Sequence, residues 1–200
     1  MILIIQNGNV TTHIYRYLDE ESVVVKSFEI DVSLIDISLY TMVIILGGNQ
    51  SICEKDNIDE HLKNVIKLIN KCIESDKPLF GICLGCQLFA FVLGCKIRST
   101  HKLNVGYDTK ILNFKYILRC HTDHIIPNNL LEIEEYYDSM LYVFKYKKIY
   151  GVQCHPDIPS DHVVNFLSDK EIIDIAKKNC DIIEKNNHEL IKYILKEIRS

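Results

Sequence analysis

The sequence predicts an α/β fold: an open, mostly parallel sheet that is flanked by helices and carries added antiparallel strands. Two observations lead to this prediction. Short apolar runs rich in β-branched residues are followed by glycine, which is typical of strands buried on both faces. Segments with helical spacing alternate with those runs over residues 1–94, and short strand candidates replace the helices up to residue 153.

The first strands and the first helix follow from the order of the apolar residues. Strands are predicted at Ile2 to Gln6, Ser22 to Phe28 and Met42 to Leu46. Apolar residues then recur at steps of three and four from residue 58 to residue 73. This spacing predicts a helix of about four to five turns with a single apolar stripe. Pro78 ends this helix, because proline cannot continue the hydrogen-bond ladder.

The next unit repeats the order of strand and helix. Leu79 to Ile82 is predicted as a strand, and Leu84 to Leu93 as a helix that stops at Gly94. Four short strand candidates follow, and their close spacing favours antiparallel pairs. They are Tyr116 to His121, Leu130 to Tyr137, Leu141 to Lys147 and Lys148 to Cys154.

The chain is predicted to turn helical again after His155, with Ser160 or Asp161 as the helix cap. Four apolar residues of this segment are expected to pack inward: Val163, Val164, Phe166 and Leu167. Residues 168–200 read as a helical C-terminal extension. Its apolar residues stand among charged ones: Ile182, Ile183, Leu190, Ile191, Ile194, Leu195 and Ile198. Helices that cover the core are the first interpretation, and a docking surface for a partner enzyme is the alternative.

Composition and charge predict one globular domain over residues 1–200. Hydrophobic residues make up 48% and charged residues 25%, which places the chain outside the disordered class. The formal charge is −4 with Lys and Arg scattered among acidic residues, so the basic surface needed for nucleic-acid binding is missing. No apolar run approaches the roughly 18 residues of a membrane span. We therefore expect a cytoplasmic protein without nucleic-acid or membrane partners, whose eight cysteines are reduced thiols.

The segment Gly81-Ile82-Cys83-Leu84-Gly85 lies at the predicted junction of a strand and a helix. A nucleophile between two glycines at such a junction has the form of a nucleophile elbow. The turn lifts the sulfur above the sheet edge and points the following backbone N–H groups at the atom that the sulfur attacks. A thiol at a helix N-terminus also ionises more readily. The alternative is that the glycines only permit close packing and that Cys83 is a buried thiol.

A second group of polar residues ends the last strand candidate, in the segment YGVQCHPD from Tyr150 to Asp157. A thiolate nucleophile in acyl transfer needs a base that moves its proton and a carboxylate that orients the base. His155 and Asp157 supply these groups, and the proline between them restricts how the two side chains are disposed. Alone, His-Pro-Asp is often only a turn, but together with Cys83 it forms a candidate triad.

Three segments resemble the class I, or triad, glutamine amidotransferase domain. GICLGCQLFAFVLG (residues 81–94) and GVQCHPD (residues 151–157) resemble its signature blocks, whose usual forms are Gly-x-Cys-x-Gly-x-Gln and a strand ending in His-Pro-Glu. ILGGNQS resembles the Gly-Gly turn that precedes them, and the order of the blocks is the family's. The resemblance covers residues 1–167, the family-like core, and implies a flavodoxin-like sheet. HKLNVGYDT and RCHTDHI look closest to the stand-alone group similar to the amidotransferase domain of GMP synthetase.

The resemblance implies that Cys83 attacks the side-chain amide of glutamine, forms a γ-glutamyl thioester and releases ammonia. His155 then activates water for hydrolysis of the thioester, and Asp157 orients His155. The resemblance implies no metal ion and no organic cofactor. This sequence shows no synthase segment, so an enzyme that accepts the ammonia would have to be a separate synthase subunit.

Four further residues are carried over from the family. The backbone N–H groups of Gly48 and Leu84 are expected to form the oxyanion hole, where one donor contributes roughly a hundredfold to a thousandfold in rate. Gln87 matches the family glutamine that lies beside the substrate. Gly47 and Gly48 let the backbone come close to the tetrahedral oxygen.

One residue departs from the family pattern, because Asp157 stands where the family usually has glutamate. Aspartate is shorter by one methylene, about 1.5 Å of reach, and a misplacement of about 1 Å can reduce the rate on the order of a hundredfold. We expect a working triad with slower turnover. Cys154 also stands where the family commonly has an aromatic residue, which weakens the packing of the pocket.

Three alternatives remain open at this point. The same thioester chemistry would serve a γ-glutamyl peptide hydrolase. The substituted carboxylate and the C-terminal extension would also suit a non-catalytic regulatory member of the family. Finally, Cys83 and Cys86 form a Cys-x-x-Cys segment, and His121 with His124 adds imidazoles, which would suit redox chemistry or zinc.

Overall fold

The computed structural model describes residues 1–9, 13–54, 57–107 and 110–200. The strands are β1 (Ile2–Gln6), β2 (Ser22–Lys26), β3 (Met42–Ile45), β4 (Leu79–Ile82), β5 (Lys96–Gly106), β6 (Lys110–Ile111), β7 (Phe114–Lys115), β8 (Arg119–Ile126), β9 (Glu132–Tyr137), β10 (Met140–Tyr146) and β11 (Ile149–Val152). The helices are α1 (Glu60–Glu74), α2 (Leu84–Val92), α3 (Val163–Phe166), α4 (Lys170–Lys178) and α5 (Cys180–Arg199). Short 3-10 helices occupy Ile14–Tyr17, Val32–Leu34, Ile37–Leu39 and Ser160–His162.

Seven strands form the central sheet in the order β2-β1-β3-β4-β11-β10-β9. The first five are parallel to one another, and β10 and β9 continue the sheet as antiparallel strands. A second antiparallel pair, β5 with β8, stands apart from the central sheet. The predicted fold class is therefore confirmed, including the added antiparallel strands.

The central sheet is covered on both faces, which explains the continuous apolar runs. Alternate residues of β1 point to opposite faces, so that Leu3 and Ile5 pack with α1 and α2. Ile2 and Ile4 belong to the cluster on the other side, which α5 completes. All five residues of β1 are buried. Burial on both faces favours β-branched side chains in these strands.

Several predicted boundaries differ from the observed ones. β2 ends at Lys26, two residues before the predicted end. β8 begins at Arg119 rather than Tyr116, because Tyr116 has a left-handed φ of 57° that an extended strand does not accommodate. β5 was not predicted from the sequence, because most of its residues are polar and exposed. The last two residues of HKLNVGYDT, 108 and 109, lie outside the described residues.

The prediction that Ser160 or Asp161 caps a helix is wrong. The side chain of Ser160 is used elsewhere, since both its backbone N–H and its hydroxyl donate to Glu184 of α5, at 2.7 and 2.9 Å. The 3-10 helix is preceded by Pro159, which has no side-chain donor or acceptor. Val164 was also predicted to pack inward, but 48% of it is exposed, whereas Val163 is fully buried.

Residues of the predicted C-terminal extension form α4 and α5. Leu190, Ile191 and Ile194 of α5 are fully buried against the sheet, as expected for a helix that covers the core. Ile182 does not share this burial, because it lies on the outer side of α5 with 41% of it exposed. Within the part of the chain that the structure describes, no helix combines the length and apolar character needed to cross a membrane.

Candidate active site

The carboxyl ends of β3, β4 and β11 bring the predicted site residues together. β4 and β11 are parallel neighbours in which Ile82 is paired with Val152. Cys83 follows the first of these strands, and the segment that contains His155 follows the second. β3 lies on the other side of β4, and Gly47 follows its end closely. In open α/β sheets this edge is where ligands bind.

Cys83 occupies a sharp, strained turn between β4 and α2. Its φ of 52° and ψ of −107° are unfavourable for a residue with a Cβ atom, and such backbone strain clusters at functional sites. The backbone N–H of Cys83 donates to Val152 at 2.8 Å, which anchors the turn to β11. Gly85 is required by close packing, because a Cβ there would lie 2.0 Å from the carbonyl oxygen of Ile45. The predicted elbow geometry is thus present.

His155 and Asp157 form a buried pair beside Cys83. Nδ1 of His155 lies 3.2 Å from Oδ1 of Asp157, and only 4% and 7% of the two residues are exposed. The backbone N–H of His155 donates to Leu118 at 2.7 Å, which fixes the position of the histidine. Burial alone lowers the pKa of His155, but the Cys83 sulfur and the Asp157 carboxylate raise it well above its usual value. The protonated form of His155 is therefore favoured at this position.

Gly47 and Gly48 approach the elbow from β3. A Cβ on Gly47 would lie 2.9 Å from Cε1 of His155 and 3.4 Å from Cβ of Cys83. A Cβ on Gly48 would lie 3.0 Å from Cδ2 of Leu84. The glycines let this backbone lie directly against the candidate nucleophile and base. The N–H of Leu84 belongs to the first turn of α2, whose N–H groups have no partner within the helix.

These residues surround one cavity of about 370 Å³. Six of the predicted site residues line it: Gly47, Gly48, Cys83, Gln87, His155 and Asp157. Leu84 contributes to the site through its position after Cys83, since its side chain is buried in the core. The cavity is also lined by Cys120, His121 and Asp123, which lie on β8.

Gln87 and Gln153 form a buried pair of amides below the sulfur of Cys83. Nε2 of Gln87 donates both to the carbonyl oxygen of Asp123 and to Oε1 of Gln153, each at 3.1 Å. Nε2 of Gln153 in turn lies 3.6 Å from Sγ of Cys83. Gln153 was missed in the sequence, although it stands two residues before His155 in the same segment.

His121 is held rigidly at the wall of the cavity. Its Nδ1 lies 3.0 Å from the carbonyl oxygen of Asp123, and its Nε2 lies 2.6 Å from the hydroxyl of Tyr142. Since the carbonyl can only accept, Nδ1 carries the proton and Nε2 accepts from tyrosine. Burial lowers the pKa of His121 to about 4, so the ring is neutral at physiological pH. The carboxylate of Asp123 accepts from Ser51 at 2.5 Å.

The residues behind the redox or zinc alternative are arranged differently from what that chemistry requires. Cys86 is fully buried, and burial raises the pKa of its thiol well above the usual value, which disfavours the reactive thiolate. Both ring nitrogens of His121 already have protein partners. In the described ranges, no three His, Cys, Asp or Glu side chains are grouped so that they could hold a metal ion.

Comparison with known proteins gives a family match. Residues 3–174 match the family model described as glutamine amidotransferase class-I. A glutamine amidotransferase-like protein from Acanthamoeba polyphaga mimivirus is 51% identical over 200 residues, which cover 100% of this chain and 97% of that protein. One of the subunits of the glutamine-hydrolysing GMP synthase of Methanococcus vannielii is 29% identical over 178 residues, which cover 79% of this chain and 88% of that polypeptide.

The fold also has a close match among solved structures. The glutamine amidotransferase of Methylobacillus flagellatus superimposes with a TM-score of 0.81 at 14% sequence identity. The superposition covers 98% of this chain and 94% of that protein. At this identity the match establishes the shared fold.

Proposed function

This chain belongs to the class-I glutamine amidotransferase family, and on that premise we propose that it hydrolyses the side-chain amide of glutamine and releases ammonia. The observation that carries the proposal is the strained elbow of Cys83 in the same cavity as the buried pair of His155 and Asp157. A nucleophile, a base and an orienting carboxylate are the three groups that acyl transfer from an amide requires.

In the first step, the sulfur of Cys83 attacks the side-chain carbonyl carbon of glutamine, and a C–S bond forms. The carbonyl oxygen becomes negative and accepts hydrogen bonds from the backbone N–H groups of Gly48 and Leu84. His155 donates its proton to the amide nitrogen, the C–N bond breaks, and ammonia leaves. The product is a γ-glutamyl thioester on Cys83. Gly47 and Gln87 line the space that the glutamine side chain would enter.

In the second step, His155 takes a proton from a water molecule, which attacks the thioester carbon. Glutamate leaves, and the thiolate of Cys83 is restored with the proton on His155. Asp157 supports both steps, because its carboxylate lies 3.2 Å from Nδ1 of His155 and favours the charged ring. Neither step uses a metal ion or an organic cofactor.

The activity is tested by measuring ammonia release from glutamine with the wild-type chain, Cys83→Ala and His155→Gln. Turnover by the wild type that is lost in both variants is the expected result. A γ-glutamyl dipeptide is the second substrate to try, because it shares the half of the molecule that Cys83 attacks. A kcat/KM for the dipeptide above that for glutamine would replace the proposal by a γ-glutamyl peptide hydrolase. Wild-type release no faster than that of Cys83→Ala on both substrates would favour a non-catalytic regulatory role.

We also propose that a separate synthase subunit receives the ammonia. The support is the relative from Methanococcus vannielii, which is one of the subunits of a GMP synthase and is 88% covered by the match. If the proposal is right, adding the partner synthase should raise glutamine turnover and consume the ammonia that is released. Equal turnover and full release of ammonia into solution with the partner present would contradict it.

We propose that residues 1–200 fold as one domain, in which residues 168–200 are an integral part of the core. The support is α5, whose buried Leu190, Ile191 and Ile194 pack in the same cluster as Ile4 and Phe80 of the sheet. A chain that ends at residue 167 is expected to expose this face and to aggregate in sedimentation experiments. A folded, monomeric product would instead favour a docking role for the extension.

We propose a cytoplasmic location for the protein. The support is that its eight cysteines are all unpaired, as expected for a protein kept in a reducing compartment. Microscopy of a fluorescent fusion in the native host would test this. A signal that coincides with a membrane or a secretory compartment would contradict it.

A further inference from the structure

Gln153 lies directly against the sulfur of the candidate nucleophile. The side chain is completely buried, and its Nε2 is 3.6 Å from Sγ of Cys83. The register of the sheet sets this contact. Because Ile82 is paired with Val152 in neighbouring strands, the residues that follow them, Cys83 and Gln153, are side by side.

The direction of the hydrogen bonds in this region is fixed by a backbone carbonyl. The carbonyl oxygen of Asp123 can only accept, so the neighbouring amide of Gln87 must present its nitrogen to it. The second N–H of that nitrogen faces Gln153, whose side-chain oxygen accepts the hydrogen bond. Gln153 then has only its N–H groups left to present to the sulfur of Cys83. The chain of bonds therefore ends with a donor that points at the sulfur.

We propose that Gln153 is a positioning residue that holds the Cys83 thiolate by hydrogen-bond donation, with Gln87 fixing the orientation of the Gln153 amide. This inference rests on the proposed function for its reaction, but the contact itself is a property of the sulfur. Hydrogen bonds to a charged group are roughly twice as strong as those between neutral groups, so the bond favours the thiolate over the thiol.

The contact acts alongside other groups that surround the sulfur. His155 is the cation of the site, and the titratable side chains near Cys83 are Cys86, Cys120, Cys154 and Tyr142. Burial raises the pKa of Cys86, Cys120 and Cys154, so these thiols stay neutral when Cys83 ionises. A change at Gln153 leaves all of these groups in place. An altered reactivity of Cys83 would then report on the amide contact.

Two substitutions separate the contact from packing. Gln153→Leu removes the donor without adding a charge and differs from methionine in shape, so an effect common to both variants does not depend on packing. Gln153→Met keeps the approximate volume and removes both donor and acceptor, so it also leaves an N–H of Gln87 without its partner. Tyr150→Phe is the matched control, because it removes a buried polar atom from β11, the strand that precedes Gln153, without touching the sulfur.

The measurement is the rate at which iodoacetamide alkylates Cys83, followed by peptide mapping across a series of pH values. The exposed Cys180 in each sample serves as the internal reference. In both Gln153 variants we expect the pH midpoint of Cys83 alkylation to rise by about one unit and the rate at neutral pH to fall about tenfold, the lower range for a bond to a charged group. Tyr150→Phe should match the wild type.

Thermal unfolding first shows which variants are folded, and Gln153→Leu decides if Gln153→Met does not fold. A folded variant whose Cys83 alkylation matches the wild type in midpoint and in rate would overturn the inference. The result is separable from the proposed function, because alkylation requires no glutamine turnover. Wild-type protein that shows the Gln153-dependent reactivity without hydrolysing glutamine would leave this inference standing and remove the function. Glutamine hydrolysis by the wild type, together with unchanged alkylation of Cys83 in the Gln153 variants, would support the proposed function and overturn this inference.

Discussion

The substitution Gly47→Ala tests whether the distance between nucleophile and base matters as proposed. Gly47 lies between the two groups, and the new methyl group would stand 2.9 Å from Cε1 of His155 and 3.4 Å from Cβ of Cys83. Ordinary van der Waals contact begins at 3.4 Å, so the histidine ring must move by 0.5 Å (3.4 − 2.9). The ring has to move away from the cavity wall that Gly47 forms.

The size of the effect follows from this displacement. A misplacement of about 1 Å in an active site reduces the rate on the order of a hundredfold, so half of that distance corresponds to about tenfold. Stability should change little, because the methyl group points into the cavity. The expected melting temperature lies within about 4 °C of the wild type, which corresponds to less than about 1 kcal/mol.

The assay is kcat/KM for ammonia release from glutamine, with Gly8→Ala as the matched control. Gly8 lines the same cavity, but a Cβ there would lie 3.3 Å from Cα of Gly48, and none of its contacts reaches His155. We expect the control to keep most of its activity. Equal activity of Gly47→Ala and Gly8→Ala would show that the position of the His155 ring does not limit the rate.

Three further predictions concern the triad, the elbow and pH. Asp157→Asn should reduce turnover about a thousandfold to ten-thousandfold. Contrary to the expectation from side-chain length, Asp157→Glu should also reduce turnover, because the carboxylate of Asp157 already lies 3.2 Å from the imidazole and a longer side chain would displace it from that position. Measurement of kcat with glutamine checks both variants, and faster turnover by the glutamate variant would show that Asp157 is too short. Gly85→Ala places a Cβ 2.0 Å from a backbone oxygen and should lower the free energy of unfolding by about 3 kcal/mol or more. Urea unfolding measures this loss, and a urea midpoint equal to that of the wild type would contradict it. The pKa of His121 is about 4 in the folded chain, below the unfolded value near 6.5, so the unfolded chain binds a proton first as pH falls. Stability should therefore decrease through this pH window, by roughly 2 to 3 kcal/mol at pH 4.5. The loss should be absent in a folded His121→Gln variant, and an identical pH dependence would show that His121 is not its source.

The parts of the fold that could be predicted from the sequence are those in which one physical requirement dominates. β1, β3 and β4 are buried on both faces, so their residues are almost uniformly apolar and mark the strands directly. α1 carries one apolar stripe because a single face of it packs on the sheet. In both cases the spacing of apolar residues carries the whole signal.

Elements at the edge of the molecule could not be predicted in the same way. The long strand β5 pairs with β8, and most of its residues are exposed, so no alternation of apolar and polar residues reveals it. The start of β8 depends on the left-handed backbone at Tyr116, which no apolar pattern records. The helix cap expected at Ser160 failed because its hydroxyl bonds to Glu184, a residue 24 positions away in the sequence.

Some residues of the candidate site could be predicted from the sequence, and one could not. Cys83 and His155 stand in short segments whose glycine and proline neighbours mark sharp turns, and these turns are visible in the sequence. Gln153 stands beside them, but its importance depends on the pairing of β4 with β11, which brings it to the sulfur from 70 residues away. A contact of that kind follows from strand register, and the sequence alone does not determine the register.

A trapping experiment shows whether Cys83 is a selective nucleophile toward the side chain of glutamine. The protein is exposed to an electrophilic glutamine analogue, beside Cys83→Ala, and the adduct is located by intact mass and peptide mapping. We expect a single adduct on Cys83, although only 6% of this residue is exposed, and protection by excess glutamine. Labelling of the exposed Cys180 in preference to Cys83, or no protection by glutamine, would contradict it.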